Sequence, residues 1–440
     1  MRTSKRDLDF ASSVPRPPRL KRRRAPHALL ILALLVGRRV IAGDEAPASL
    51  RLADVIKEAR SSNPEIKAAR ERTRAARFAP ARVAAYDDPV ASWEAWNTPE
   101  SLRVDHADNN IFRLSQKVPF PGKRSLAGRM AEREADIAGA DAVGTELEVV
   151  AMVRRAYYGL WQAYQDLSIY TRDKALVERL AKVAEQKYAV GQVSQPDVLR
   201  SQVELTRLVN RVTTAELAID GARAELNALL SRSPNESLGV PEDPQPSTLD
   251  PTDDDLIARA LRNRPEVAAK AAAVERDRAK LGVARLDYLP DFEFSVSRFV
   301  NYRNRDGFGA MAAISLPFAY EYKYDAALEE ARAGVASAEA EQRQVTDRVT
   351  REVRQAFLRA RTAKLQRELL LTTHIPLAEQ TLGASEIGYQ TGKIDFLSLI
   401  DSLRGVESVH LEHVVAEAEL GKAFADLERA VGEPLDRGAR

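Results

Sequence analysis

A few side chains in this sequence have types and spacings that could bind a metal ion or transfer a proton. His410 and His413 lie three residues apart on one face of a predicted helix, with Glu407 and Glu417 nearby. A metal ion could use this spacing, but a third ligand is not assured, so ordinary polar helix positions are the main interpretation and a metal site the weaker one. The acidic run over 253–255 follows a proline-rich linker and opens a predicted helix, where acids complement the helix dipole.

No arrangement of residues in the sequence has the form of an enzyme site. No glycine-rich phosphate loop follows a strand, and no nucleophile stands near a matching base. The 440 residues include 5 His and 0 Cys, which excludes thiolate metal sites, disulfides, cysteine nucleophiles and a lipid anchor on cysteine. We therefore expect no enzyme activity and no bound cofactor.

Charge and composition exclude two further classes of protein. The 66 Lys+Arg residues balance 64 Asp+Glu residues, whereas a nucleic-acid-binding protein would carry a clustered basic excess. After the N-terminal region, no stretch approaches the roughly 18 uncharged apolar residues of a transmembrane helix, which argues against an inner-membrane transporter. Aromatic residues make up only 6%, and the apolar content is mostly Ala, Leu and Val, which favours long helices.

The N-terminus has the layout of a secretory signal peptide. A basic cluster over 21–24 precedes a short apolar run over 28–37, and small residues follow near Ala42. A transmembrane anchor is the alternative, but an apolar run of about 10 residues is too short to span a bilayer. We predict a signal peptide over residues 1–43 and export of the remainder.

The rest of the chain is an internal duplication. Asn63-Pro64-Glu65-Ile66 returns as Arg264-Pro265-Glu266-Val267, and further matches follow in the same order at a spacing of about 200 residues. We predict a first repeat over 44–233, a proline-rich linker over 234–251, a second repeat over 252–434 and a tail over 435–440.

Long stretches within each repeat lack proline, which would cost about 3 kcal/mol in a helix interior. One such stretch lies between Pro121 and Pro196, and another lies between Pro317 and Pro376. Apolar residues such as Val149, Val153 and Tyr157 recur at helical spacing between charged ones. The sequence therefore predicts very long helices that pack lengthwise as coiled coils.

Four short segments instead alternate apolar and polar residues, and this period of two is typical of β-strands. They form two predicted hairpins, near 89–119 and near 290–317. The apolar residues assigned to one face, which would contact lipid, are Trp93, Phe112, Leu114, Phe292, Phe294, Val296, Phe308 and Ile314. Ordinary hairpins packed on the helices would show the same pattern. A membrane barrel closed by several copies explains it better, because closure removes the exposed strand edges.

Local motifs at the helix turns indicate a family. Tyr188-Ala189-Val190-Gly191 leads to Asp197-Val198-Leu199, and Tyr389-Gln390-Thr391-Gly392 leads to Leu399-Ile400-Asp401. Val118-Pro119-Phe120-Pro121-Gly122-Lys123-Arg124 follows the second predicted strand. With these motifs and the repeated order of long helix, strand hairpin and long helix, the chain from Ala46 to Pro434 resembles the TolC-like outer-membrane efflux factors. It looks most like their heavy-metal-efflux branch.

The resemblance implies a mainly α fold with a small β part. Duplicated helical hairpins would form a periplasmic α-barrel, and four strands per chain would contribute to a trimeric, twelve-stranded β-barrel in the outer membrane. The implied function is the outer-membrane component of a tripartite efflux system. It would be a passive exit duct for metal cations or small toxic compounds that an inner-membrane RND-type pump and a periplasmic adaptor deliver.

The resemblance also implies roles for the tips of the helical hairpins. Asp197 and Asp401 fall where the family has pore-gate aspartates, and Ser398 departs from the family where a second acid would strengthen the ring. The positions implied for adaptor docking are Gly191, Val193, Gly392 and Ile394. Local chemistry offers simpler roles: left-handed helix caps for the glycines, a local apolar staple for their neighbours, and a first-turn carboxylate for Asp197.

Three alternative functions remain open. An outer-membrane component of type I protein secretion would share the same fold. A periplasmic adaptor also carries a helical hairpin, and a structural coiled-coil protein would carry long helices. The duplicated hairpins and the four alternating segments favour a channel over the last two.

Overall fold

The computed structural model describes residues 49–98, 100, 104–244, 252–302, 305–318 and 320–435. From residue 49 onward they belong to one compact unit, so the two repeats pack together. The predicted signal peptide lies outside the described residues. Across the described stretches, no helix combines the length and the apolar character that crossing a membrane would require.

Each repeat contains short helices, a strand hairpin and then a pair of long antiparallel helices. The first repeat contains α1 (Leu52–Ser62), α2 (Pro64–Ala76), α3 (Ala79–Val83), β1 (Val90–Trp96), β2 (Asn109–Val118), α4 (Lys123–Ala189) and α5 (Gln195–Leu229). The second contains α6 (Asp253–Asn263), α7 (Pro265–Leu286), β3 (Phe292–Asn301), β4 (Gly307–Ile314), α8 (Ala326–Leu369), α9 (Ile375–Gln390) and α10 (Phe396–Val431). The 67 residues of α4 make it about 100 Å long.

The two repeats begin their second helix with the same contact but different chemistry. Asn63 accepts hydrogen bonds from the backbone N–H groups of Glu65 and Ile66, and its own amide donates to the Leu229 carbonyl at 2.9 Å. At the corresponding position, the buried Arg264 donates to the Ala430 carbonyl at 3.0 Å. In both repeats this side chain therefore fastens the start of a short helix to the end of the last long helix.

The long helical hairpins differ between the repeats because of one proline. Helix α4 is continuous, whereas its counterpart is divided into α8, a π-helical turn over Leu370–His374, and α9. Pro376 follows the turn and lacks the N–H that a continuous helix would use, so the local hydrogen bonding changes there.

The four strands form a single antiparallel sheet in the order β1-β2-β3-β4. Strand β2 of the first repeat pairs with β3 of the second over their full length, from Asn109 opposite Asn301 to Val118 opposite Phe292. The prediction of four strands is therefore confirmed, and the hairpins from the two repeats are not separate. The outer edges of β1 and β4 have no strand partner among the described residues.

The core lies between the helices in three main clusters. One surrounds Val153 and Leu160 of α4, and a second surrounds Val349 and Val353 of α8. A third lies near the hairpin tips around Phe396 of α10. Many buried positions on the long helices are alanine, which lets the helices approach closely.

Candidate functional site

One face of the sheet is apolar and exposed. The strand register places all eight residues predicted to contact lipid on this face: Trp93 lies opposite Phe112, Leu114 opposite Val296, and Phe292 opposite Ile314. Phe308 is 76% exposed, Phe294 52%, and only Phe292 is half-buried. A contiguous exposed apolar face of this kind marks an interaction surface, and lipid is one environment that it suits.

The other face of the sheet is polar and more covered. It carries Arg113 and Ser115 of β2, and Ser295 and Ser297 of β3, both of which are buried. The sheet thus separates an apolar side from a polar side, as a barrel wall between lipid and water requires.

The tips of the helical hairpins turn at glycines in left-handed conformation. Gly191 has φ 72° and Gly392 has φ 73°, and the N–H of each donates to the carbonyl of Tyr188 or Tyr389, three residues earlier. A Cβ atom at either glycine would meet no heavy atom within 4 Å. The requirement for glycine is therefore conformational and not steric.

The residues beside these glycines differ in their surroundings. Ile394 is half-buried among the residues of the tip core, and a Cβ atom at Gly388 would lie 3.3 Å from its Cγ1 atom. Val193, in the first tip, is also half-buried. Ile394 thus has a local packing role, and both side chains retain some exposed surface.

The predicted gate residue Asp197 belongs to a capping box. Its Oδ2 atom accepts hydrogen bonds from the backbone N–H and the hydroxyl of Ser194, at 3.2 and 2.8 Å. Its side chain is only 16% exposed, and Arg200 lies 3.8 Å away. Burial, and then the charge of Asp197, raises the pKa of Tyr389 in the other hairpin.

The second tip has a helix cap at the corresponding position, with the two residue types exchanged. Asp395 lies where the first tip has Ser194, and Ser398 lies where it has Asp197. Asp395 accepts hydrogen bonds from the hydroxyl and the N–H of Ser398, which lower the pKa of its carboxyl group. The second tip therefore has its acid at Asp395, three residues before Ser398. The sequence analysis missed this residue, although the alignment of the two repeats indicates it.

Asp401 is the most exposed of the predicted gate carboxylates. Its side chain is 63% exposed, with Arg404 of the same helix 3.9 Å away. Its counterpart in the first repeat is Arg200, so Asp197 and Asp401 are not equivalent positions. The exposed acids of the second tip are Asp395 and Asp401.

Above the tips, a network of charged side chains joins the two hairpins. Glu204 of α5 is buried and accepts hydrogen bonds from Arg207 at 2.9 Å and from Arg404 of α10 at 2.6 Å. Arg207 also donates to Glu407 of α10 at 2.7 Å. Burial opposes the ionisation of Glu204, but the two arginines outweigh it and lower its pKa. Sequence reasoning missed this network because its members lie on different helices.

A lysine ties the hairpins together closer to the turn. The Lys187 ammonium donates to the Tyr389 carbonyl at 2.8 Å and lies 4.5 Å from the centre of the Tyr389 ring. This carbonyl at the end of α9 also accepts from the Gly392 N–H, so the lysine adds a second hydrogen bond to it from the other hairpin.

The histidine pair does not assemble a metal site. His410 contacts Glu379 at 3.1 Å, and Glu417 is paired with Arg367. Burial lowers the pKa of His413. Among the residues that the structure describes, no group of three or more His, Asp or Glu side chains is placed to hold a metal ion.

The acidic run 253–255 has the structural role expected of a helix start. Thr252 caps α6 by accepting a hydrogen bond from the Asp255 N–H, and Asp255 pairs with Arg259 at 2.8 Å. Acids in this first turn complement the helix dipole.

Comparisons with known proteins agree with this architecture. A model of the outer membrane efflux protein family matches residues 55–232 and 256–433, one match in each repeat. The cobalt-zinc-cadmium resistance protein CzcC of Cupriavidus metallidurans is 25% identical over 347 residues, which cover 76% of this chain and 79% of CzcC. The fusaric acid resistance protein FusA of Burkholderia cepacia is 26% identical over 260 residues, 56% of this chain and 47% of FusA.

Solved structures give the same fold. The outer-membrane channel OprN superposes with a TM-score of 0.75 at 21% identity, and the alignment covers 87% of this chain and 89% of that one. The predicted fold class is thereby confirmed. The protein is an outer-membrane efflux component that extends into the periplasm, and the chain belongs to the outer membrane efflux protein family.

Proposed function

We propose that three copies of this chain close a twelve-stranded barrel and form a passive exit duct, to which an adaptor and an inner-membrane RND-type pump deliver substrates. The sheet carries this proposal, because it has one exposed apolar face and two edges without strand partners in the part of the chain that the structure describes. Such edges are stable in a membrane only when they pair with further strands. Three sheets joined edge to edge satisfy every edge.

Fractionation and recording test this duct. The proposal expects the chain in outer-membrane fractions as a trimer by mass in detergent, and expects purified trimers to conduct ions across planar bilayers. A monomer in detergent, or a trimer that does not conduct, would contradict it.

Divalent metal cations are the substrates that we propose first. The relationship to a cobalt-zinc-cadmium resistance protein over most of both chains supports this class. Deleting the gene should then lower the metal concentration that the cells survive, and restoring it should recover resistance. Small organic toxins are a second candidate, supported by the similarity to a fusaric acid resistance protein of which the chain spans about half. Sensitivity to such acids, without sensitivity to metals, would favour this second class.

The hairpin tips are our proposed adaptor-docking sites, centred on Gly191, Val193, Gly392 and Ile394. Alanine at both tip glycines would force non-glycine residues into the left-handed region, at a cost of roughly 1–2 kcal/mol each. We expect adaptor crosslinking to fall while barrel insertion survives. Gly221→Ala is the matched control, because this helical glycine also has open space but no positive φ. Undiminished crosslinking in the tip variant would remove docking from these positions.

A further inference from the structure

Arg113 places an isolated positive charge on the polar face of the sheet. The register aligns it with Ser92 of β1, Ser297 of β3 and, through β3, Gly309 of β4. No other residue of this row is charged. In the proposed barrel the polar face lines the lumen, so the inference that follows rests on the proposed function.

The side chain of Arg113 is held by one of its nitrogens. Its Nε atom donates to the Ser297 hydroxyl at 3.3 Å, and Ser297 is 7% exposed. Among the described residues, Ser297 is the only polar side-chain partner of this guanidinium. Both terminal nitrogens therefore remain to bind solutes, and their planar fork suits carboxylates and phosphates.

The neighbouring rows of the polar face contain one acid and one pair of opposite charges. The next row towards the loops contains Glu94 beside the apolar Ile111 and Phe299. Two rows towards the helices, Lys117 lies directly opposite Glu293, so that row is balanced. Arg113 is thus the one charge of its own row, with Glu94 one row away, and trimer symmetry would repeat it three times around the lumen.

We infer that Arg113, positioned by Ser297, binds and concentrates anionic solutes in the lumen of the barrel. Charges on one level of a water-filled pore create a local potential that concentrates ions of opposite sign. Salt screens this potential, with a Debye length of about 10 Å at 0.1 M and 30 Å at 0.01 M.

Reversal potentials in a KCl gradient test the inference on intact trimers. For Arg113→Gln we expect the K⁺/Cl⁻ permeability ratio to rise about two-fold at low salt and less at high salt. Arg113→Lys keeps the charge and should keep the ratio. Block by citrate added from the barrel side should weaken in both Arg113→Lys and Ser297→Ala. The lysine lacks the planar guanidinium that binds a carboxylate through two nitrogens, and the alanine lacks the hydroxyl that positions Arg113.

Arg298→Gln is the matched control, because it removes the same charge from the apolar face. Arg298 lies opposite Phe112 and Phe308, at nearly the same level as Arg113. An unchanged permeability ratio in Arg113→Gln, or an equal change in Arg298→Gln, overturns the inference and leaves the proposed duct intact. Parent trimers that fail to conduct would overturn the duct itself.

Discussion

Asp166 on α4 is partly buried, and burial disfavours the ionised form of its carboxyl group. Its Oδ1 atom is buried without a hydrogen-bond partner among the described residues. Burial raises the pKa of its carboxyl group from the ordinary 3.8 to about 6, against a smaller lowering by a hydrogen bond from Gln162. A carboxyl group whose pKa is higher when folded destabilises the fold as it ionises, so stability should decrease as the pH rises from about 4 through 6.

Asp166→Asn should remove this penalty. We expect the variant to be more stable than the parent by roughly 1–2 kcal/mol at pH 7.5, after allowance for partial exposure, and by less at pH 5. Thermal unfolding in detergent at both pH values measures this. Glu185→Gln, at an exposed site on the same helix, is the control. A gain that does not depend on pH would show that Asp166 is not the titrating group.

The acids of the second tip should control cation passage if they line the pore entrance. Asparagine at 395 would still cap α10, and asparagine at 401 removes an exposed charge, so folding should be preserved. We expect the Asp395→Asn, Asp401→Asn double variant to form trimers normally but to be blocked less by multivalent cations, most clearly at low salt. Asp197→Asn should change block less, because that carboxylate is mostly buried. Block indistinguishable from the parent at both ionic strengths would leave these acids as ordinary helix residues.

Single residues were predictable from the sequence only where the chain conformation alone determines their role. The left-handed glycines at 191 and 392 follow from the local turn pattern. The cap formed by Asp395 is also local, and the alignment of the two repeats indicates it. The role of Glu204 does not follow from the sequence, because it depends on which helices meet. Pairing across helices is a tertiary property, which neither propensity nor periodicity encodes.

The two helical hairpins of a protomer are joined by the charged network around Glu204. Removing one partner of a buried ion pair leaves the others without compensation, so Glu204→Gln should destabilise the contact between α5 and α10. We expect a loss of roughly 1–3 kcal/mol, since Arg207 and Arg404 keep access to water. The exposed Glu216 of α5 provides the control variant Glu216→Gln.

A double-mutant cycle separates this coupling from general damage. Combining Glu204→Gln with Arg404→Gln should cost less than the two single changes added together, because the second removes a charge that the first has left unpaired. Additive losses would mean that the two hairpins are not coupled through this pair.

For the whole molecule, the sequence predicted the architecture well because several independent sequence signals indicate the same fold. Proline positions bound the long helices, the period of two identifies the strands, and the duplication explains why all elements occur twice. The pairing of the two strand hairpins through β2 and β3 was harder to predict from the sequence. It brings residues almost 200 positions apart into register, such as Leu114 and Val296, and only the folded chain specifies that pairing.

The same strand register predicts how an arginine introduced on either face of the sheet should affect trimer assembly. Phe294 lies on the apolar face and Ser115 on the polar face, and both are on central strands. An arginine on the lipid face near the bilayer midplane costs roughly 2–4 kcal/mol, and trimer symmetry imposes that cost three times. Phe294→Arg should therefore greatly reduce the outer-membrane trimer, whereas Ser115→Arg should assemble almost normally because its charge enters water. Ser295 is a poorer control than Ser115, because it is 4% exposed and an arginine there would also need space. Trimer yield in outer-membrane fractions measures the difference, and equal assembly of the two variants would show that the apolar face does not meet lipid.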